Sequence, residues 1–270
     1  RNSFADAPTT DDVEVNGVPF RRVGSRTDTL AAGADVRLTK FTTLASRYDM
    51  TWVAFDQPDD PTLTGGWIHA LRADLTHQID ERTAVGAEYG IRRAELNAGS
   101  RDMGFQDVGG VLRLRLGPHT TVSAAAGLSI LQDHAVDETR TGPYVRTGIS
   151  HQADRVTVGA GYQRNFVPSF GFGGSSRNQE VSAFVTTPLD RARVYVQGSA
   201  TWRRSTPFDA NSLELDTIWL RSTLGYAASR WARIEGLYTY TRQDSIVTGG
   251  EIDRHRLGVQ VVISQPMRIR

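Results

Sequence analysis

Cysteine is absent from the 270 residues, which excludes disulfides and thiolate metal sites. Lysine is nearly absent: Lys40 is the only one, and every other basic side chain is arginine. The net charge is +1, with neither a basic tail nor a low-complexity block, and the arginines are spread singly with no recognisable module, so nucleic acid is not an expected partner. No apolar run reaches the roughly 18 residues of a transmembrane helix. No signal-peptide pattern opens the chain at Arg1, so the expectation is a processed precursor or a piece of a longer protein. The lack of long apolar runs does not exclude a membrane protein. Barrel strands need only about 9–11 residues with alternate positions apolar, and averaged hydropathy hides them.

Alternation is what the chain does have. In VLRLRLGPHTTVSAAAGLSIL, residues 111–131, Arg113 and Arg115 lie between Leu112, Leu114 and Leu116. After Gly117-Pro118-His119 the apolar set is Val122, Ala124, Ala126, Leu128 and Ile130. A period of two means extended strands, because successive side chains point to opposite faces. The same pattern recurs at about 28–40, 43–56, 66–79, 83–96, 141–152, 155–168, 178–189, 193–206, 215–228, 231–243 and 252–264. With the two strands of the hairpin, this predicts 13 clear strands.

The connections alternate in length. Short turns fall near Lys40-Phe41-Thr42, Asp80-Glu81-Arg82, Gly117-Pro118-His119, Ala153-Asp154, Leu189-Asp190-Arg191-Ala192 and Ser229-Arg230. Between them lie longer segments: FDQPDDPTLTGG, LNAGSRDMGFQD, LQDHAVDETRTG, PSFGFGGSSRN, STPFDANSLELD and QDSIVTGGEID. Strict short–long order is what transmembrane barrels show, with tight periplasmic turns and longer extracellular loops. A sandwich with Greek-key crossings has no reason to keep it. Trp52, Trp67, Trp202, Trp231, Tyr226, Tyr238 and Tyr240 fall mostly near strand ends, as in an aromatic girdle. Ordinary core packing is the competing reading, but the polar faces are too charged to form a second core.

The expected fold is therefore all-β: an antiparallel up-and-down transmembrane β-barrel of about 14 strands, with leucines toward lipid and arginines toward the lumen. Residues 1–25 are expected to be an N-terminal loop or arm, 26–264 the barrel, and 265–270 a C-terminal tail. Lipid requires every backbone group to be paired, and bacterial single-chain barrels have even strand numbers. One further strand must then precede the first clear one. Residues 12–18 (DVEVNGV) are a weak candidate, and RNSFADAPTTDD reads better as a loop. Either the first strand is irregular or upstream strands lie outside this chain.

Parity assigns twelve arginines to the lumen: Arg37, Arg47, Arg72, Arg92, Arg113, Arg115, Arg146, Arg203, Arg221, Arg233, Arg254 and Arg256. It assigns six acids there: Asp35, Asp49, Asp74, Glu88, Glu180 and Glu235, which leaves an excess of six positive charges. The long segments are acidic, with Asp56, Asp59, Asp60, Asp102, Asp107, Asp133, Asp137, Glu138, Asp209, Glu214, Asp244 and Glu251 against Arg101, Arg140 and Arg177. A basic, water-filled lumen in a low-dielectric wall attracts anions. Cross-strand pairing with acids is the structural alternative for any one arginine. Arg113 with Arg115, and Arg254 with Arg256, are the best candidates for a basic ladder, since no acid lies between them on their face.

Other constellations carry little chemistry. GFGG at 171–174 does not join a strand to a helix, so a phosphate loop fails. Asp133-His134 makes neither a triad nor a ligand set, and Asp56, Asp59 and Asp60 match no defined calcium loop. His69 and His77 fall on the lipid face without a serine partner. Neither catalytic residues, a metal nor a cofactor is expected.

The alternating strands, the short–long connections and the terminal segment WARIEGLYTYTRQDS…EIDRHRLGVQVVIS resemble Gram-negative outer-membrane β-barrel proteins. The ending is similar to that of β-barrel porins associated with exopolysaccharide export. The chain ends QPMRIR rather than in an aromatic residue, so an assembly signal of that kind would lie within Leu257–Ile263. The resemblance implies the bacterial outer membrane, contact with its lipid and lipopolysaccharide, and a non-enzymatic channel for anionic or polar solutes, including an exported polysaccharide. The alternative is a structural or partner-binding barrel with a closed lumen, binding protein through residues 1–25 or the long loops. A rim or lipid-facing hydrolase is a distant third.

Overall fold

Alternation at period two becomes fourteen strands in the computed structural model, each hydrogen-bonded antiparallel to its neighbours in chain order. They are β1 (Asn2–Ala7), β2 (Ser25–Arg37), β3 (Thr42–Phe55), β4 (Gly66–Gln78), β5 (Thr83–Leu96), β6 (Arg101–Arg115) and β7 (Thr120–Asp133). There follow β8 (Glu138–Gln152), β9 (Thr157–Ser169), β10 (Gly174–Asp190), β11 (Val194–Pro207), β12 (Leu215–Ala227), β13 (Ala232–Ser245) and β14 (Glu251–Ile263). The structure describes residues 2–7, 25–55, 65–96, 101–169, 174–190, 193–208, 214–229, 232–245 and 251–263. The candidate strand at 12–18, the 265–270 tail, Asp56, Asp59, Asp60 and Trp231 lie outside them.

The hairpin of residues 111–131 has the expected register. Leu112 faces Ala124 and Leu114 faces Val122 across β6 and β7, while Arg113 faces Ser123 and Arg115 faces Thr121. One face of the sheet exposes Leu71, Leu75, Ile91, Leu112, Leu128 and Ile149. The other buries Glu88, Asp107, Ser129, Thr217, Thr223, Glu235 and Gln243. A soluble fold has the opposite polarity. Here lipid covers the apolar face, and the polar groups must satisfy one another inside.

Two elements differ from expectation. The first strand is Asn2–Ala7, inside the segment whose composition reads as a loop, and it adds six pairs to the edge of β2. Backbone pairing to an existing edge does not require an apolar alternation. The long connections are also shorter than they read. LQDHAVDETRTG is strand except for residues 134–137, and β6 begins at Arg101. Fourteen residues at about 3.3 Å each run roughly 46 Å along the strand, or about 33 Å upright at a tilt near 45°, against an apolar band about 25 Å tall. The strands therefore continue above the membrane, where no lipid enforces the alternation.

Among the described residues β1 and β14 do not pair with one another, and the sheet is open between them. Leu257 (82% exposed) and Val259 (79%) on β14 are accordingly the most exposed apolar side chains, against 42% for Leu220 in mid-sheet.

Glycines make room for one inner aromatic. Gly109 faces Gly127, and Gly127 faces Tyr144, across β6, β7 and β8. A Cβ on Gly127 would run into the Val108 carbonyl, and one on Gly109 would come 3.4 Å from the Tyr144 ring. Gly127→Val is expected to destabilise the barrel by about 1–3 kcal/mol through overpacking. Gly110→Ala, whose Cβ meets nothing nearer than 4.0 Å, should stay within about 0.5 kcal/mol of the parent. Urea unfolding in micelles, followed by tryptophan fluorescence, compares the two.

Candidate functional site

The register puts all twelve arginines on the buried-polar face. Arg47 stands opposite Arg72, Arg92 opposite Ala70, and Arg146 opposite Ala125, which is itself buried. Arg203 faces Glu180, Arg221 faces Ser199, Arg233 faces Val262, and Arg254 and Arg256 face Thr241 and Thr239. Arg37 shares its face with Thr43.

Arg47, Arg72, Arg92, Arg146, Arg203 and Arg233 form ion pairs with acids. Arg47 binds Asp49 at 2.8 Å, but it is largely exposed and contributes little. Arg72 binds Asp74 at 3.2 Å and also Glu88. Arg146 donates to the same Glu88 oxygen at 2.6 Å, from three strands away. Tyr144 is buried beside this group. Arg203 binds Glu180 at 2.6 Å and lies 4.8 Å over the Trp219 ring. Glu235 takes Arg233 at 3.7 Å, Gln260 at 2.6 Å and the Tyr195 hydroxyl. Tyr195 and Trp219 are inner-face aromatics; alternation puts Tyr195 on the polar side of β11, and Trp219 shares the parity of Arg221 on β12.

A seventh inner acid is Asp107. Its place in LNAGSRDMGFQD reads as a loop, but it lies on β6 and binds Arg92 at 2.7 Å. Adding it to the six acids lowers the inner excess by one. Arg92 also donates to the carbonyl of Phe166 at 2.8 Å. Ser129 donates to Asp107 at 2.6 Å, and its Oγ accepts from the Phe166 N–H at 3.4 Å. Both backbone polar groups of one β9 residue are thus held by the inner wall of β5 and β7.

These bonds show that β9 leaves the wall. Its pairing with β8 ends at Val145–Arg164, although β8 runs on to Glu138. Its pairing with β10 continues to Ser169–Gly174. The upper β9–β10 hairpin therefore tips inward as a unit, and the side that would face lipid lies against the inner wall. Phe166 packs over Gly142, where a Cβ would meet its ring. It joins Val53, Ile68, Leu96, Met103, Phe105 and Leu131 in one buried cluster. Phe208 follows from the end of β11: its ring is edge-on to Phe166 at 5.1 Å and lies under Arg140 at 4.7 Å. The lumen is thereby narrowed, on the long-loop side, by an apolar block seated on a charged latch.

The short-turn end is different. Arg113 and Arg115 make no ion pair among the described residues, and neither does Arg37. Arg113 and Arg115 border a cavity of about 280 Å³ together with Arg82, Thr43, Thr76 and Thr121. Asp80 and Glu81 border it too. The Asp80 carboxylate accepts the N–H groups of Arg82 at 2.6 Å and Thr83 at 2.7 Å, and these bonds hold it below the usual carboxylate range. Arg221, Arg254 and Arg256 have interaction partners of their own.

The remaining candidates do not assemble. The Asp133 carboxylate is held by Arg101 at 2.7 Å and by the Ala135 N–H, while His134 turns to the Asp102 carbonyl. On the outer face, His69 meets Tyr48 and His77 meets Thr42. Among the described residues, three or more metal-ligating side chains do not cluster anywhere.

No family model matches the chain, and no curated protein matches it. Solved structures do. The alcaligin outer-membrane receptor of Bordetella pertussis matches at TM-score 0.52 and 12% identity, over 98% of this chain and 53% of the receptor. The ferripyoverdine receptor of Pseudomonas aeruginosa matches at 0.53 and 10%, over 95% and 47%. The FrpB iron transporter of Neisseria meningitidis matches at 0.54 and 8%, over 83% and 44%. The chain spans about half the length of these proteins. The likeness is one of fold: a Gram-negative outer-membrane β-barrel, with the outer membrane as its location. The named neighbours are receptors and transporters, and the exopolysaccharide porins suggested by the terminal segment are not among them.

Proposed function

We propose that the barrel is an outer-membrane conduit for small anionic or polar solutes, with the inward β9–β10 hairpin setting its bore. The observation that carries this reading is the arginine surplus of the inner face, with Arg37, Arg113 and Arg115 forming no ion pair among the described residues at the short-turn end. Unneutralised guanidinium groups on a narrow wall raise the local anion concentration. The receptors and transporters of the same fold support a transport role, and an acidic polysaccharide strand is the largest solute this lumen would be asked to pass. No chemistry of an enzyme is needed. The apolar band takes lipid acyl chains. Pairs such as Arg93–Asp102 and Arg242–Glu251 on the outer face stand where lipopolysaccharide headgroups would meet the wall.

The second reading is a barrel closed by its hairpin that serves as a scaffold. The buried cluster around Phe166 favours it. A planar-bilayer measurement across a potassium chloride gradient separates the two. The conduit predicts current with a reversal potential on the anion side. Silence from a correctly folded sample would decide for the scaffold.

A further inference from the structure

Resting on the conduit reading, we propose that Arg82, Arg113 and Arg115 form an oxyanion-binding site at the short-turn mouth, taking a phosphate or carboxylate group. Arg115 donates its backbone N–H to the Arg82 carbonyl at 2.7 Å, so these two residues are cross-strand neighbours. Arg113 lies two residues along the same face of β6. Like charges set side by side on a sheet are destabilising unless something balances them. Elsewhere on the inner face the balance comes from protein: Glu88 sits between Arg72 and Arg146, and Glu235 receives Arg233. At the mouth Arg113 and Arg115 form no ion pair among the described residues, and Arg82 has only the attraction of Asp80 in its own turn.

Of the two acids bordering the cavity, Asp80 and Glu81, Asp80 is spent on the turn that carries Arg82. Its two backbone bonds fix the turn and keep its charge at the edge of the cavity. Thr43, Thr76 and Thr121 border the space with hydroxyl donors. A cavity of about 280 Å³ holds several water-sized volumes of about 30 Å³ each, enough for one phosphate or one uronic acid but not for a folded partner. Guanidinium forks match both tetrahedral and carboxylate oxyanions with paired N–H bonds. Three arginines border the space against two acids, and the solute's oxyanion balances the positive charge left over.

The test is calorimetric titration of the full chain, folded in detergent, with inorganic phosphate and separately with glucuronate. Saturable binding of either supports the site and identifies the source of the oxyanion. R113Q/R115Q should weaken it by about a hundredfold, about tenfold for each charge-assisted hydrogen bond removed. R113K/R115K should keep part of it, which separates the effect of charge from a failure to fold. Binding of neither probe, or binding that survives R113Q/R115Q unchanged in a folded sample, overturns the proposal. Conductance of the same preparation is read independently. Current without oxyanion binding removes the site and leaves the conduit; binding without current removes the conduit and leaves the site.

Discussion

Replacing Arg92 by methionine is expected to free the β9–β10 hairpin and raise single-channel conductance, while lowering stability by about 3 kcal/mol. The Arg92 side chain is 19% exposed and that of its partner Asp107 is 13% exposed. Removing the guanidinium leaves that carboxylate with Ser129 alone, and an unpaired charge in such a place is costly. The same change cuts the bond to the Phe166 carbonyl, so the hairpin loses its polar anchor to the wall. The two consequences can be separated. R92M/D107L removes both charges, and replacing a buried pair by apolar groups is often close to neutral, so stability should largely return. The latch would still be gone, and the raised conductance should persist. Gly142→Val attacks from the other side by filling the space under the Phe166 ring, with no charge altered. It too should raise conductance. Unchanged conductance in all three variants would mean that the hairpin does not set the bore.

The different parts of the inner face were unequally legible in sequence. Period two placed the strands and the faces, because in a barrel each side chain has only two solvents to choose between. Pairs two residues apart, such as Arg47–Asp49, Arg72–Asp74 and Arg233–Glu235, follow from spacing alone. So does the lack of an acid between Arg113 and Arg115 on their face of β6. Glu88–Arg146 joins residues 58 apart and Arg92–Phe166 residues 74 apart, and no local pattern announces either. Phe166 is the instructive case. Its parity on β9 is that of a lipid-facing residue, shared with Tyr162 opposite Val181. Parity reports the face of a strand, not where the strand goes once it leaves the sheet. The inward tilt depends on Gly142, Ser129 and Arg92 offering a place to land, which is a tertiary fact. β1 escaped for another reason: an edge strand can be chosen by hydrogen bonds, with composition pointing elsewhere.

Glu88→Gln tests the lumen's middle and should have the other large effect. The Glu88 side chain is 2% exposed, and one of its oxygens receives both Arg72 and Arg146. Those guanidinium groups come from β4 and β8, so the carboxylate ties strands that are not neighbours in the sheet. Glutamine keeps the shape and removes the charge. Two arginines, 33% and 39% exposed, would then face each other across a neutral amide, which replaces neither charge-assisted bond. A loss of about 3 kcal/mol is expected, from breaking one partner out of a largely buried group. Urea unfolding in micelles measures it. R72M/E88Q should recover part of the loss by removing one of the two stranded charges. The electrical result discriminates function. If anions pass this point, the added unit of net positive charge at the wall should move the reversal potential further to the anion side, against a parent measured in the same gradient. If the barrel is a closed scaffold, Glu88→Gln destabilises it and no current reports the change. The same substitution therefore asks whether the buried carboxylate is there to hold strands together, to moderate a field that solutes feel, or both.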